Sequence, residues 1–147
     1  MKIKVETVVN ADFTKVYTAF DQQLFKALNP PLLPVKLLRF DGCQKGDEVH
    51  LQFPFGVRWV SLITDSQTSM EKFVFVDEGR ILPFPLKNWK HQHKVLRKNH
   101  KTMIVDDIYY QTHHILLDWL LYPVLYMQFL YRKPVYRRYF EKKKVSR

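Results

Sequence analysis

Sulfur and glycine are scarce in this chain, and acidic groups are outnumbered. The single cysteine, Cys43, among 147 residues excludes an internal disulfide and a cysteine-built metal cluster, and it suits a reducing, cytoplasmic setting. Four glycines leave little material for a phosphate-cradling loop, and no G-x-G-x-x-G or P-loop pattern occurs. There is no nucleophile elbow of the G-x-S-x-G type. The opening MKIKVETVVN alternates polar and apolar residues, so it shows no apolar signal core. The most apolar stretch, Ile115 to Tyr131, is interrupted by Asp118, Pro123 and Gln128. It falls short of the ~20 apolar residues a bilayer span needs. A core helix is the expected reading.

Rings and positive charge are abundant. Hydrophobic residues make up 46% and aromatics 15%, with 11 Phe, 8 Tyr and 3 Trp. Such rings fill a wide interior or line an apolar pocket. The length favours one domain, residues 1–147, able to bury roughly 70% of its unfolded surface. The net charge is +10, but it is uneven. Residues 132–147 gather Lys and Arg against one acid, Glu141. This reads as a solvated helix end followed by a basic tail at 143–147, with peripheral contact to an anionic membrane left open. Nucleic acid is not an expected partner, because the aromatics alternate inward in strands instead of interleaving with Lys and Arg on an outer face.

Hydrophobic periodicity orders the elements. KIKVETVV alternates Ile3, Val5, Thr7 and Val9 and predicts a strand. Asn10 or Asp12 can cap a helix with Phe13, Val16, Tyr17 and Phe20 on its apolar face. DQQLFKALNPPLLP predicts a second short helix that stops before Pro30. Strands follow at 35–42, 47–55, 57–67 and 69–78, then in LKNWKHQHKVLRKN and KTMIVDDIYYQT. Tight turns between them imply an antiparallel sheet. The C-terminal third predicts one long helix with Leu116, Leu120, Val124, Met127, Leu130 and Val135 at helical spacing. Pro123 and Pro134 are expected to start, break or kink it.

The densest chemistry lies in NWKHQHKV. Trp89, His91, His93 and Val95 share one strand face, with lysines on the other. A hairpin closed at 98–101 pairs residues whose numbers sum to about 199. His93 then faces Asp106, His91 faces Ile108 and Trp89 faces Tyr110, with paired Cβ atoms ~5 Å apart. A buried carboxylate needs a partner, and His93 would supply one to Asp106. The pair is either a satisfied polar contact in an apolar wall or, with His91, the polar end of a ligand pocket. His-x-His with only two ligands is a weak metal signal, so no metal and no cofactor are expected.

The order strand, two helices, strands, long helix, together with PFPLKNWKHQHKV and TMIVDDIYY, resembles the START-like SRPBCC superfamily. The birch-pollen allergen and the polyketide cyclase/dehydrase group belong to it. The nearest resemblance is to its bacterial cell-division-inhibitor-like branch. Pro83, Phe84, Trp89, His91, His93, Asp106 and Tyr110 match that branch's pattern, and RWVSLIT, FVFVDE and FLYRKPVYRRYF resemble its other segments. Pro134 inside the long helix and the apolar HHILLDWLLYPVLYM depart from it.

The resemblance implies an α+β helix-grip fold. A curved antiparallel sheet of six to seven strands would wrap a long C-terminal helix, with two short helices after the first strand. A cavity would lie between sheet and helix, rimmed by loops 53–56 and 81–86. Its walls would include Phe25, Phe53, Trp59, Phe75, Phe84, Trp89, Ile108, Tyr110 and Met127, with His91, His93 and Asp106 orienting a polar group. The expected function is binding of a small hydrophobic molecule by a monomer or homodimer. An enzyme of cyclase, dehydratase or hydrolase type using His93 and Asp106 is the alternative.

Overall fold

Alternation of apolar residues builds the sheet as expected. The computed structural model describes residues 1–31 and 33–142; the basic tail expected at 143–147 lies outside the described residues. Seven strands form in chain order: β1 Lys2–Val9, β2 Lys36–Phe40, β3 Glu48–Gln52, β4 Arg58–Thr68, β5 Lys72–Ile81, β6 Leu86–Lys98 and β7 Lys101–Thr112. They make one curved antiparallel sheet in the spatial order β1-β7-β6-β5-β4-β3-β2. In β1 every second residue is buried, with Ile3, Val5, Thr7 and Val9 inward. The β6–β7 hairpin has the expected register, with His93 opposite Asp106, His91 opposite Ile108 and Trp89 opposite Tyr110. Three expected strands are trimmed, the one expected at 35–42 to Lys36–Phe40. The segment after Gln52 becomes a 3-10 turn, Pro54–Gly56, and residues 69–71 precede β5.

Helix α1 (Phe13–Tyr17) begins where Asp12 Oδ2 accepts from the Thr14 N–H, and α2 (Gln22–Ala27) where Asp21 Oδ1 accepts from the Leu24 N–H. Asp12 therefore fills the role left open between Asn10 and Asp12. Both helices are too short to persist in water and are held by packing. Phe13, Val16 and Leu24 join Phe73, Phe75, Val95 and Ile104 of the sheet and Tyr136 and Phe140 of the last helix in one core cluster.

That last helix, α3, runs from Ile115 to Glu141 and spans about 40 Å at 1.5 Å per residue. Pro123 and Pro134 lie inside it without ending it. Each removes the N–H that would bond the carbonyl four residues earlier. The face packed on the sheet is only partly the one expected from sequence: Val135 is buried and Leu130 half-buried against the core. Leu116, Leu120, Val124 and Met127 are exposed, whereas Asp118, Leu125, Phe129, Val135, Tyr136 and Phe140 are buried. The inward stripe steps by three and four residues through 118, 122, 125, 129, 132, 136 and 140, with Tyr122 and Arg132 half-buried, as a helix face must. It was obscured because two of its members, Asp118 and Arg132, are charged.

Both charged members are anchors. The Thr112 N–H donates to Asp118 Oδ1 at 2.6 Å, and the Tyr110 hydroxyl donates to the Asp118 carbonyl at 2.6 Å, joining the first turn of α3 to the end of β7. Two turns before the other end, Arg132 Nη1 donates to Asp106 Oδ1 of β7 at 3.1 Å. Arg132 also lies over the Phe129 ring, 4.5 Å from its centroid.

Two outcomes follow from these anchors. Removing the cation in Arg132→Met leaves Asp106, 1% exposed, without its guanidinium. This should cost about 3–5 kcal/mol in urea unfolding at neutral pH, while Arg137→Met on the exposed face should cost less than about 0.5 kcal/mol. The Thr112 backbone and side-chain hydrogen bonds hold the Asp118 carboxyl below the ordinary carboxylate range. Its contribution to stability is thus present above the unfolded-state value of ~3.9 and lost as pH falls through the lower folded value. In melting curves between pH 7 and pH 2.5, the stability gap between the parent and Asp118→Asn should close only below about pH 4. A pH-independent gap would refute this assignment.

Candidate functional site

Beneath α3 the sheet curves away and leaves a cavity of about 270 Å³. Its floor and walls are apolar. Leu24, Phe25 and Leu28 come from α2 and its end, Phe40, Val49 and Leu51 from β2 and β3, and Trp59, Ile63, Phe75 and Trp89 from the sheet centre. Leu121, Val124, Leu125 and Phe129 of α3 form the roof. Ser61, Asp77, His91, His93, Arg132 and Tyr136 all reach the cavity, and Asp21 and Gln128 add polar groups to its lining.

Apart from the Tyr136 hydroxyl, which is buried without a hydrogen-bond partner, these groups form two hydrogen-bonded sets joined by the stacked imidazoles. The Trp59 Nε1–H donates to Ser61 Oγ at 2.9 Å, and the Ser61 hydroxyl donates to Asp77 Oδ1 at 3.2 Å. The Trp89 Nε1–H reaches the same oxygen at 3.2 Å. Asp77 Oδ2 lies 2.6 Å from His93 Nε2, which makes Nε2 the protonated nitrogen of a neutral His93. His91 Nε2 lies 2.9 Å from Asp106 Oδ1, the oxygen that also receives Arg132. The two imidazoles stack with centroids 3.5 Å apart, and Phe75 covers the far side of His93 at 4.1 Å.

Burial and neighbours set the charges. Burial, reinforced by the adjacent His91, pushes His93 down to about 4, so it is neutral at pH 7. Burial alone would raise Asp106, but Arg132 and the His91 hydrogen bond outweigh it and hold the carboxyl at about 2. Asp77 is likewise lowered: burial opposes ionisation, and the His93 hydrogen bond with the nearby imidazoles more than offsets it. Burial raises the Tyr136 hydroxyl, keeping it protonated. Cys43 also lines the cavity, but burial and Asp47 push its thiol up to about 12, which removes it as a nucleophile.

The structure brings together seven of the expected site residues: Phe25, Phe53, Trp59, Phe75, Trp89, His91 and His93 line the cavity. Five do not. Ile108 and Tyr110 are fully buried in the core cluster that packs under α3. Asp106 sits behind the imidazoles, bonded to His91, and does not line the cavity. Met127 is exposed because the helix phase differs, and Phe84 projects from its loop and stacks on His113 at 6.1 Å. The expected His93–Asp106 bond is also replaced. Although these residues are opposite in register, their nearest atoms are 4.0 Å apart. Each ring leans to the diagonal carboxylate, His93 to Asp77 and His91 to Asp106.

Asp77 and Arg132 were missed from sequence. A signal for Asp77 exists in KFVFVDE, where Phe73, Phe75 and Asp77 alternate onto one face. For Arg132 the signal is its spacing of three and four from Phe129 and Tyr136. Asp77, His91 and His93 offer donor atoms that all lie within 4.8 Å of one another, the arrangement that could hold a metal ion.

No protein-family model matches the chain, and no curated protein matches it. Solved structures do. A truncated norcoclaurine synthase from Thalictrum flavum aligns with a TM-score of 0.70 at 11% identity, covering 98% of this chain and 95% of that one. Protein Ms6760 from Mycobacterium smegmatis aligns at 0.62 and 17% identity, over 91% of this chain and 87% of that one. Ara h 8.0201 aligns at 0.57 and 12% identity, over 92% and 94%. At these identities the likeness is one of fold, and the chain has the helix-grip fold of the SRPBCC type that these structures share.

Proposed function

We propose that the protein binds one small, mainly apolar molecule bearing a polar group in the cavity under α3. One observation carries this reading: an aromatic and aliphatic hollow in which Ser61, Asp77, His91, His93 and Arg132 supply a hydrogen-bonded polar cluster. Ligand sites have that composition, with few polar groups fixing orientation and apolar walls supplying affinity. A volume of about 270 Å³ lies near the lower end of the ~300–1,000 Å³ usual for such sites, so the ligand is compact. Acid–base catalysis has weaker support, because the His93–Asp106 pair on which it rested is not bonded.

The test is a panel of compact apolar compounds, with and without a hydroxyl or carbonyl, added to metal-free protein. A true ligand at 100 times its Kd stabilises the native state by about 2.7 kcal/mol and raises the melting midpoint. Trp59 and Trp89 line the cavity, so their fluorescence should respond in parallel. Val124 lines the mouth while remaining exposed, and Val124→Trp should weaken binding about tenfold, about 1.4 kcal/mol, without unfolding the chain. Ligands that shift neither midpoint nor fluorescence would remove the reading.

A second reading, transient seating on a membrane, is favoured by the outward face of α3. Ile115, Leu116, Trp119, Leu120, Val124 and Met127 are all exposed, Leu120 at 72%. Phe55 and Phe84 are also exposed, close in chain to the lining residues Phe53 and Pro83. Apolar surface of this extent marks an interaction site. No helix among the described residues is long and apolar enough to cross a membrane, so contact would be peripheral. Each leucine fully buried in lipid is worth about 1.5–3 kcal/mol. Leu116→Glu with Leu120→Glu should therefore cut cosedimentation with anionic vesicles by well over tenfold. Equal sedimentation of parent and variant would exclude this face.

A further inference from the structure

We propose that Asp77, His91 and His93 form a site for one divalent transition-metal ion of the zinc class, with an open coordination position facing the cavity. The three side chains come from β5 and β6, so rigid neighbouring strands fix them. All three line the cavity. Two imidazoles and one carboxylate suit Zn²⁺ and Co²⁺, and three protein ligands with a free position is the arrangement of reactive sites.

Each imidazole presents one nitrogen to Asp77 and the other to Asp106. Both rings span the gap between Asp77 and Asp106. On the Asp77 side, His93 Nε2 is 2.6 Å and His91 Nδ1 is 3.6 Å from Asp77 Oδ2. On the other side, His91 Nε2 is 2.9 Å and His93 Nδ1 is 4.0 Å from Asp106 Oδ1. A neutral imidazole has one N–H. If His91 donates to Asp106, its Nδ1 lone pair points at the Asp77 carboxylate, and two acceptors face each other. A cation between them resolves this conflict.

The distances suit such an ion once the stacked imidazoles, 29° from parallel, splay so that both lone pairs meet it. Ligand bonds of ~2.0–2.2 Å in a tetrahedron separate donor atoms by roughly 3.3–3.5 Å. The His91–Asp77 separation of 3.6 Å is already near that value. The shorter His93–Asp77 contact would open as the metal replaces the shared proton.

The surroundings match those of a metal centre. Metal-bound histidines donate their other N–H to a carboxylate, which fixes ring orientation. Asp106 accepts the distal nitrogen of His91 at 2.9 Å, the distal nitrogen of His93 lies 4.0 Å away, and Asp106 Oδ2 is buried without a hydrogen-bond partner. With His93 bound through Nε2, its proton moves to Nδ1, on the Asp106 side. Arg132 neutralises Asp106, which keeps that carboxylate in a supporting role. Asp77 Oδ1 is held by Ser61 and Trp89, leaving Oδ2 for the ion.

The probe is Co²⁺, then Zn²⁺, titrated into full-length protein stripped with EDTA and free of any organic ligand. The expected result is one Co²⁺ per chain, visible d–d bands of a low-coordinate N/O site, displacement by Zn²⁺ and a raised melting midpoint. Asp106→Asn should weaken binding about 10–100-fold, His93→Gln should abolish the d–d bands, and His113→Gln with His114→Asn should leave them intact. The parent titration decides the matter even where a buried variant does not fold. No stoichiometric binding, as expected if a second proton on His91 fills the gap instead, overturns the proposal. So does binding that survives His93→Gln and is lost from the His113 and His114 variant. Because no organic ligand is present, this outcome is separate from that of the apolar-ligand test.

Discussion

Two ionised carboxylates sit within one apolar interior, and neither can remain there uncompensated. Asp77 is answered by His93, Ser61 and Trp89, and Asp106 by His91 and Arg132. The second set crosses from the sheet to α3. Helix packing alone tolerates small rotations, because apolar contacts are not directional. The guanidinium is directional, and placing it on Asp106 puts Phe129, Tyr136 and Phe140 against the sheet and turns Leu120 and Val124 outward. Asp118 repeats the device at the helix start through Thr112 and Tyr110. The grip of the sheet on its helix is thus set by two polar anchors, with apolar packing filling between them.

The same constraint explains why a cavity survives. Well-packed cores leave few voids, and here the aromatic rings are abundant enough to fill one. Yet Trp59 and Trp89 are held by their indole nitrogens, to Ser61 and Asp77, and meet edge to face at 4.8 Å. Phe75 is stacked flat on His93. Rings fixed in this way cannot collapse into the hollow beside them. The polar network therefore shapes the apolar walls as well as supplying the polar end.

Much of the sheet was legible, for a physical reason. Strand period two is simple, and a tight hairpin carries register forward without error: placing the turn at 98–101 sufficed to put His93 opposite Asp106. What sequence could not give is the lean of each side chain across the ladder. Opposite and diagonal positions are both within reach of an imidazole, and the third strand decides between them. Asp77 on β5 draws His93, so Asp106 is left to His91. The helix phase failed for a related reason. A hydrophobic stripe is sought by its apolar members, and in α3 the inner stripe contains Asp118 and Arg132 while the outer face is rich in Leu, Trp and Val. The cavity list inherited that error at Met127. Phe84 failed separately, since a loop phenylalanine has no periodicity to reveal its direction.

The outward apolar face and the inward charged groups are two sides of one allocation. Seen by composition alone, α3 places its residues the wrong way round: leucines in water, a carboxylate and a guanidinium inside. Stability does not favour this, because apolar replacements of a buried ion pair are often neutral or stabilising. The arrangement is understandable if both faces meet something besides water and sheet. Inside, the charges hold imidazoles and a carboxylate in fixed orientation at the cavity, as a site needing precise donors requires. Outside, the exposed residues lead toward the mouth through Leu120 and Val124, the latter belonging to both surfaces. A molecule arriving from an apolar phase would meet continuous apolar contact from helix face to cavity, and polar groups only at its end.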